Sequence, residues 1–411
     1  MNKNGKVATY IPILARADPD SWGVSVCTVD GQRHSIGDVK DPFTIQSVSK
    51  TLTYASILND RGSEKVHEYI GYEPSGHSFN KIRLDVNGKP HNPMINTGAI
   101  LACSLLKPEM DKRQRFNYVK NKFQNLAGGE FMRKNLGAFL SEKDNADQNF
   151  AIAYYMKANK CFPEGTILEE VLDLYFQLCA IDINCESGAV IAATLANGGV
   201  CPITDDHLLR SETVQDTLSL MFSCGMYDYS GQFAFKVGLP AKSGVSGCII
   251  LVVPKVMGVC LWSPPLDQWG NSCRGIEFCE NFNEQFHFHN FDIGKEMTLR
   301  QRHTSRSKYQ NKAMEVVKVL FGAFKGDVTA MRRYALQGVE MNQQDYDGRT
   351  ALHVAAAEGH LNVVNFLLEE CHVDFRLKDR WGYTPLEEAK RFGKKDIEEL
   401  LEQMAGYEVE T

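Results

Sequence analysis

The sequence predicts an α+β domain followed by an all-α repeat array. Strand-like segments stand near both ends of the first 290 residues, and residues 97–197 between them carry helix-like patterns. An antiparallel sheet whose first and last strands meet accounts for that order. Farther along, Gly326, Gly359 and Gly393 recur at intervals of 33 and 34 residues, a period typical of stacked helical repeats. The predicted boundaries are 1–290 for the α+β domain, 291–312 for a basic linker, 313–405 for the repeats and 406–411 for a tail.

Composition narrows the function classes. The chain has 411 residues and a net charge of −6, so bulk charge gives no reason to expect nucleic-acid binding. Its twelve cysteines contain no C-x-x-C pair and stand among apolar residues, which indicates reduced, buried thiols of an intracellular compartment and no metal site. The apolar stretch 248–262 is interrupted by Pro254 and Lys255, so we expect a β-hairpin and no membrane span. Residues 1–10 show neither a signal peptide nor a transit peptide.

Local patterns predict the elements of the α+β domain in order. Strands are indicated by β-branched and aromatic residues beside turn signals, and helices by apolar residues at helical spacing. If the first and last strands meet, the regions of Ser47 and Lys242 share one cleft. The predicted elements are a strand at 7–14, a hairpin from 23–28 turning at Asp30-Gly31, the helix after Ser47, helices from 97 to a cap at Asn197-Gly198-Gly199, and strand pairs at 232–237 and 247–262.

Ser47-Val48-Ser49-Lys50 is an S-x-x-K pattern at the start of a predicted helix. Ser47 is expected at the helix N-terminus, where the N–H groups are unpaired and the dipole is positive. Lys50 stands one turn farther on, within reach of the Ser47 hydroxyl. A lysine that is desolvated enough to lose its proton can activate such a serine as a nucleophile. The alternative is a capping serine with a surface lysine, and Ser49, which lacks this spacing, is expected to be structural.

The chain changes character after residue 294. Residues 295–312 carry six cations against a single Glu296, which favours a solvated segment over a polyanion site. Beyond it, the stretch that starts at Thr350 nearly matches the ankyrin T-P-L-H-x-A signature, and the stretch that starts at Thr384 matches it with Glu387 in place of His. We therefore expect two to three ankyrin-like repeats, which dock on the rest of the protein or on another subunit because so few repeats bury little core. The linker cations are Lys295, Arg300, Arg302, Arg306, Lys308 and Lys312.

Lys242-Ser243-Gly244 precedes an apolar strand and resembles the K-[ST]-G motif that accompanies S-x-x-K in penicillin-recognising enzymes. The strand context suits catalysis, because an N–H near Val245 could donate to a developing oxyanion. The alternative for this tripeptide is a surface loop.

Taken together, the motifs resemble the phosphate-activated animal glutaminases of the kidney and liver type. That family combines a serine-β-lactamase or penicillin-binding-protein-like α+β domain with C-terminal ankyrin repeats, and the resemblance covers nearly the whole chain. Thr97 stands where familiar members have Ala. The motifs that carry the resemblance are residues 44–50 (TIQSVSK), 92–100 (NPMINTGAI), 142–149 (EKDNADQN), 224–228 (CGMYD) and 242–247 (KSGVSG).

The resemblance implies hydrolysis of L-glutamine to L-glutamate and ammonia through an acyl-enzyme, without a cofactor or a metal. An α-amino acid needs a carboxylate for its ammonium and amide or hydroxyl donors for its carboxylate. Read from the residues alone, Asn96 and Asn149 could be helix caps. Tyr10 and Tyr175 could be core aromatics, and Glu142 could be a solvated carboxylate. The implied catalytic residues are Ser47 as nucleophile, Lys50 as base, Tyr227 as proton shuttle and Tyr10 in the pocket wall. The implied substrate-binding residues are Ser47, Asn96, Glu142, Asn149, Tyr175, Tyr227 and Val245, with the Ser47 and Val245 amides as the oxyanion hole.

The resemblance also implies regulation. Inorganic phosphate is the expected activator, and dimers are expected to assemble into tetramers or filaments. A mitochondrial location is implied as well, with a cytoplasmic one as the alternative. Arg83 stands where the kidney type usually has Phe, which puts apolar packing between dimers in question. The implied regulatory loop contains Phe79, Lys81, Ile82, Arg83 and Leu84.

Two other functions compete with glutamine hydrolysis. A penicillin-recognising serine hydrolase would have no use for the ankyrin array or for the segment that contains Glu142. A catalytically inactive ankyrin scaffold would have no reason to keep Ser47, Lys50 and Tyr227 together. Ammonia release from glutamine, measured with and without phosphate, separates the three functions.

Overall fold

The computed structural model describes residues 4–76, 82–291, 305–336 and 338–407. The chain divides into two compact units, residues 1–300 and 301–411. The first unit combines antiparallel sheets with helices, and the second unit contains helices in its described residues. The predicted α+β domain followed by an all-α array is therefore confirmed.

The first unit contains eight described strands, twelve described α-helices and the short 3-10 helix Tyr227–Tyr229. The strands are β1 (Gly23–Thr28), β2 (Arg33–Gly37), β3 (Phe43–Thr44), β4 (Met132–Lys134), β5 (Ile181–Ile183), β6 (Ala241–Gly244), β7 (Cys248–Val253) and β8 (Met257–Trp262). The helices are α1 (Pro12–Ala15), α2 (Val48–Arg61), α3 (Ser63–His67), α4 (Asn96–Leu105), α5 (Lys112–Leu126), α6 (Leu136–Asp144), α7 (Asp147–Ala158), α8 (Leu168–Cys179), α9 (Cys185–Ala196), α10 (Ser211–Cys224), α11 (Ser230–Lys236) and α12 (Cys273–Phe286).

The main sheet has the strand order β2-β1-β8-β7-β6, and every neighbouring pair is antiparallel. Val24 of β1 lies opposite Leu261 of β8, so the first and last strands of the domain meet as predicted. The buried helix α9 packs on this sheet. A Cβ at Gly258 of β8 would lie 2.0 Å from the Ala193 nitrogen of that helix, so only glycine permits this close approach.

Two predicted strands are wrong. Residues 7–14 end in the short helix α1, because Pro12 has no N–H to give to a sheet and suits the first position of a helix. Residues 232–237 fall mostly within α11. There Phe233, Phe235 and Val237 imitate a strand's alternation, but the structure buries the first and third on one helical face and leaves Phe235 85% exposed.

A small second sheet, in the order β3-β5-β4, positions the S-x-x-K segment. The Ile45 N–H donates to the Ile181 carbonyl over 2.7 Å, and the Gln46 N–H donates to the Cys179 carbonyl over 3.0 Å. The chain then turns through Gln46, whose φ of 48° is left-handed, and enters α2 with Ser47 as its N-cap. The residue that precedes the serine is thus tied to the end of α8, which fixes where α2 begins.

The second unit consists of three consecutive helix pairs. Thr350 and Thr384 both cap helices by accepting the N–H three residues farther on, and Gly359 ends its helix in the left-handed conformation. The first helix begins at Ser305, so residues 305–312 of the predicted linker are helical; residues 292–304 lie outside the described residues. The helical segments are Ser305–Lys325, Val328–Leu336, Ala351–Glu358, Leu361–Asn365 with its continuation Phe366–Glu370, Pro385–Arg391 and Lys395–Tyr407.

All twelve cysteines are free thiols, and ten of them are buried. Among the described residues, no helix combines the length and the apolar character that a membrane crossing requires.

Candidate active site

Ser47 and Lys50 meet on the first turn of α2. Lys50 Nζ donates to Ser47 Oγ over 3.0 Å and to Asn96 Oδ1 over 2.7 Å. The lysine side chain is only 2% exposed, and this burial lowers the pKa of Lys50 to about 8, while Cys179 and Glu142 act in the opposite direction. A substantial neutral fraction at mildly alkaline pH allows Lys50 to accept the proton of Ser47.

Asn96 extends the pair toward two further predicted residues. It is the first residue of α4, and its Nδ2 donates to Asn149 Oδ1 of α7 over 3.0 Å. The hydroxyl of Tyr175, on α8, donates to Asn96 Oδ1 over 3.3 Å. Burial raises the pKa of Tyr175 well above its ordinary value, so this hydroxyl stays a donor. Three helices therefore bring neutral polar groups to one wall of the site.

Glu142 lies on α6 and is buried, contrary to the solvated alternative. Its Oε1 accepts from Gln46 Nε2 over 2.9 Å and from the Tyr10 hydroxyl over 3.1 Å. Burial raises the pKa of Glu142, and the bonds from Gln46 and Tyr10 and the charge of Lys50 lower it in part. Among the described residues, no ion pair involves this buried carboxylate, which suits it to bind a ligand's ammonium group.

Tyr10 reaches the same cluster from the N-terminal segment. Its hydroxyl lies 3.0 Å from Gln46 Oε1 as well as near Glu142, although half of the residue's surface is exposed. Burial of that hydroxyl, together with the charge of Glu142, raises the pKa of Tyr10 well above its ordinary value. Tyr10 therefore forms a cover whose polar end faces inward.

Tyr227 begins the short 3-10 helix Tyr227–Tyr229, just after α10. Burial raises the pKa of Tyr227, and the nearby Ser47 side chain opposes that shift. Lys242 Nζ lies 4.4 Å from the centre of the Tyr227 ring and donates to the carbonyls of Gly225 and Ser243. Burial and the neighbouring Lys50 lower the pKa of Lys242 well below its ordinary value.

The end of edge strand β6 lies against the nucleophile turn. A Cβ at Gly244 would lie 2.9 Å from the Ile45 carbonyl oxygen and 3.6 Å from the Ser47 nitrogen, so glycine is needed for this approach. In the described part of the chain, neither the Ser47 N–H nor the Val245 N–H donates to a backbone carbonyl. Two donors from separate segments are thus available beside Ser47 Oγ, as an oxyanion hole requires.

Two cavities border this cluster. One of about 920 Å³ is lined by Tyr10, Val245 and Gly270, and one of about 390 Å³ is lined by Ile95 and Tyr227. Among the described residues, no group of three or more His, Cys, Asp or Glu side chains is arranged to hold a metal ion.

The predicted regulatory loop is described only in part. Phe79 and Lys81 lie outside the described residues, whereas Ile82 and Arg83 are exposed and Leu84 packs against the core of the first unit. The regulatory role of this loop stays a prediction.

The structure brings all the predicted catalytic and substrate-binding residues into one cluster, together with one neighbour, Gln46, that was not predicted from the sequence. Gln46, inside the TIQSVSK motif, bonds to Glu142 and Tyr10, and Lys242 lies over Tyr227. Adjacency to Ser47 was the only sequence signal for Gln46. The K-[ST]-G motif marked Lys242 without indicating what its ammonium contacts.

Comparisons with known proteins agree with this geometry. Residues 5–291 match the family described as Glutaminase, and residues 311–411 match the one described as Ankyrin repeats (3 copies). The mitochondrial glutaminase liver isoform of Rattus norvegicus is 54% identical over 398 residues, which are 97% of this chain and 66% of that protein. A glutaminase of Nostoc sp. is 45% identical over 294 residues, 71% of this chain and 87% of that protein. The chain thus spans slightly less than two thirds of the rat relative.

Solved structures give the same result for the first unit. The probable glutaminase ybaS has a TM-score of 0.68 and 37% identity, and it covers 71% of this chain and 93% of its own. Mglu in its glutamate form has a TM-score of 0.68 and 37% identity, over 72% of this chain and 67% of its own. Because the family match spans most of the chain and includes every residue of the Ser47 cluster, the chain belongs to the glutaminase family and carries a C-terminal ankyrin array.

Proposed function

We propose that this chain hydrolyses L-glutamine to L-glutamate and ammonia through an acyl-enzyme on Ser47. The observation that carries the proposal is the buried Lys50 amine, 3.0 Å from Ser47 Oγ, with a pKa of about 8. The names of the rat and Nostoc relatives support glutamine as the substrate.

The first half of the reaction forms the ester. Ser47 Oγ attacks the γ-amide carbon and passes its proton to Lys50 Nζ, while the carbonyl electron pair moves onto oxygen. The N–H groups of Ser47 and Val245 stabilise that oxyanion. When the carbonyl re-forms, the C–N bond breaks, and the nitrogen takes a proton from the Tyr227 hydroxyl and leaves as ammonia. Lys50 then returns a proton to Tyr227.

The second half releases glutamate. Water attacks the ester carbon and gives a proton to Lys50 Nζ. Collapse of the tetrahedral intermediate breaks the bond to Ser47 Oγ, which recovers its proton from Lys50. The products of the two halves are one ammonia and one glutamate, and the enzyme returns to its starting state.

The amino-acid end of glutamine is held by the opposite wall. Glu142 pairs with the α-ammonium, and its bonds from Gln46 and Tyr10 keep the carboxylate ionised and oriented. Asn96, Asn149 and Tyr175 supply amide and hydroxyl donors for the α-carboxylate. A penicillin-type substrate has no need of the Glu142 carboxylate.

The environment of the enzyme is also part of the proposal. The name of the rat relative supports a mitochondrial location. Inorganic phosphate acts as the activator and favours assembly of dimers into tetramers or filaments, with the segment that contains Arg83 at the contact. These properties rest on the resemblance to phosphate-activated glutaminases.

Ser47→Ala tests the nucleophile, with Ser49→Ala as a matched control. Both serines are buried on the first turn of α2, and Ser49 Oγ contacts Cys179 Sγ at 3.8 Å instead of facing Lys50. Ammonia release should fall by about 10⁴-fold or more in Ser47→Ala and stay near wild type in Ser49→Ala. Acid-quenched wild-type enzyme should carry a γ-glutamyl ester by mass spectrometry. Residual activity of Ser47→Ala within about tenfold of wild type would refute the assignment.

A further inference from the structure

Tyr227 has a backbone conformation that needs support from its surroundings. Its φ of 53° lies in the left-handed region, which residues with a side chain seldom adopt. This φ sets the direction in which the phenol leaves the main chain toward Ser47. Whatever holds the peptide groups on either side of Tyr227 therefore also holds its hydroxyl.

Three segments hold those peptide groups. The Met226 N–H donates to Ser230 Oγ over 2.9 Å, and Ser230 Oγ donates to the Tyr227 carbonyl over 2.7 Å. Strand β6 contributes the Ser243 N–H, which donates to the Gly225 carbonyl over 3.1 Å. The third segment is the loop 265–272, which follows β8.

That loop reaches Tyr227 through Asn271. This residue is fully buried, and its Nδ2 donates to the Met226 carbonyl over 3.3 Å. Within the described chain, the side-chain oxygen of Asn271 has no hydrogen-bond partner, so the bond to Met226 is the polar contact that orients the amide. Gly270 adjoins the ring itself, since a Cβ there would lie 3.7 Å from Tyr227 Cε2.

Asp267 gives the loop a defined shape. Its Oδ1 accepts the N–H groups of Trp269 and Asn271, both over 2.9 Å, and its own N–H donates to the Asn271 carbonyl over 2.8 Å. The backbone of Asn271 is thus closed into a tight turn. The loop is anchored again where Leu266 and Lys6 exchange two backbone hydrogen bonds, four residues before Tyr10.

We propose that Asn271, held by Asp267, is a positioning residue that keeps the Tyr227 hydroxyl aligned with Ser47. This inference rests on the proposed role of Tyr227 in proton transfer. The side-chain amide of Asn271 bonds to the Met226 carbonyl next to Tyr227, so we expect its effect on turnover to pass through Tyr227. Its loss should slow the chemical step and leave the binding of the amino-acid end, on the Glu142 side, unchanged.

The experiment is a double-mutant cycle in the full chain. Asn271→Ala is measured alone and in the Tyr227→Phe background, with glutamine as substrate and ammonia as product. Misalignment should lower kcat by about 10- to 100-fold, with KM within about twofold of wild type. In Tyr227→Phe the same change should cost less than about twofold, because the hydroxyl it positions is already gone.

Asn197→Ala is the matched control. Its Nδ2 also donates to a backbone carbonyl, that of Val200 over 3.0 Å, but at the end of α9. Its kcat should equal that of wild type. If Asn271→Ala does not fold, Asn271→Asp tests the same bond, because it keeps the shape and removes the donor.

The outcomes separate the two hypotheses. A wild-type kcat in Asn271→Ala would overturn the positioning role and leave the proposed function intact. The same holds if Asn271→Ala lowers kcat by the same factor in wild type and in Tyr227→Phe. A wild-type kcat in Tyr227→Phe would refute the proton transfer in the proposed function, and the positioning role with it.

Discussion

The sharpest test of the Ser47–Lys50 pair is the pH dependence of kcat/KM, which reports the ionisation of the free enzyme. Lys50 must be neutral to accept the serine proton, and burial lowers its pKa to about 8. Activity should therefore rise with pH up to that value and level off above it. An exposed lysine would still be protonated throughout this range.

The size of the rise follows from the pKa. About 9% of Lys50 is neutral at pH 7, about 50% at pH 8 and about 91% at pH 9. kcat/KM should therefore increase about fivefold from pH 7 to pH 8 and less than about twofold from pH 8 to pH 9. The raised pKa of Tyr227 keeps its hydroxyl protonated across this interval, so Tyr227 does not contribute to the rise.

The assay is the initial rate of ammonia release at glutamine concentrations far below KM, at constant ionic strength and phosphate. Lys50→Arg is the matched control, because a guanidinium keeps the charge and cannot lose its proton in this range. It should be inactive at every pH. A flat wild-type profile between pH 6.5 and pH 8.5, or a rising limb retained in Lys50→Arg, would refute Lys50 as the base.

Three further predictions concern Glu142, Lys50 and Arg83. Glu142→Gln should raise KM by about ten- to a hundred-fold with little change in kcat, because the ligand's ammonium loses a charged partner; a lowered kcat at unchanged KM would make Glu142 a catalyst instead. Lys50→Met should raise the free energy of unfolding at pH 7. The pKa of Lys50 is lower in the folded chain than in the unfolded one, so its buried charge destabilises the folded state in full below pH 8. This destabilisation disappears as the pH approaches 10.5. The buried charge costs about 3 kcal/mol, and the two hydrogen bonds lost in the variant offset about 1 kcal/mol each. Thermal unfolding should therefore show a larger gain in stability for Lys50→Met at pH 7 than at pH 9.5. Arg83→Phe should tighten self-association and lessen the phosphate requirement by removing a desolvation cost, and sedimentation curves over a phosphate titration that coincide with wild type would place Arg83 outside the contact.

Local patterns predicted the elements well where one face is buried. The β7–β8 hairpin, the helix after Ser47 and the second ankyrin-like repeat, from Thr350 to its cap at Gly359, each combine a regular apolar pattern with a turn or cap residue. The failure at 232–237 occurred where apolar residues fit two periods at once, so the packing partner selects the element. The failure at 7–14 overlooked Pro12, a local signal for the start of a helix.

The sequence by itself determined which residues are candidates for the chemistry. Ser47 and Lys50 are linked through one helical turn, so their meeting follows from spacing alone. Glu142 and Tyr227 became candidates only through resemblance, since nothing in their own segments distinguishes them from solvated or core residues.

Only the tertiary structure decided how those residues are arranged. It buries Lys50 and so lowers its pKa, it turns Glu142 inward onto Gln46 and Tyr10, and it joins Asn271 to the Met226 carbonyl next to Tyr227. Desolvation depends on every segment packed around a charge, and a left-handed backbone depends on hydrogen bonds from elsewhere in the chain. Neither is encoded in a short motif, because the groups responsible come from helices and loops far apart in the sequence.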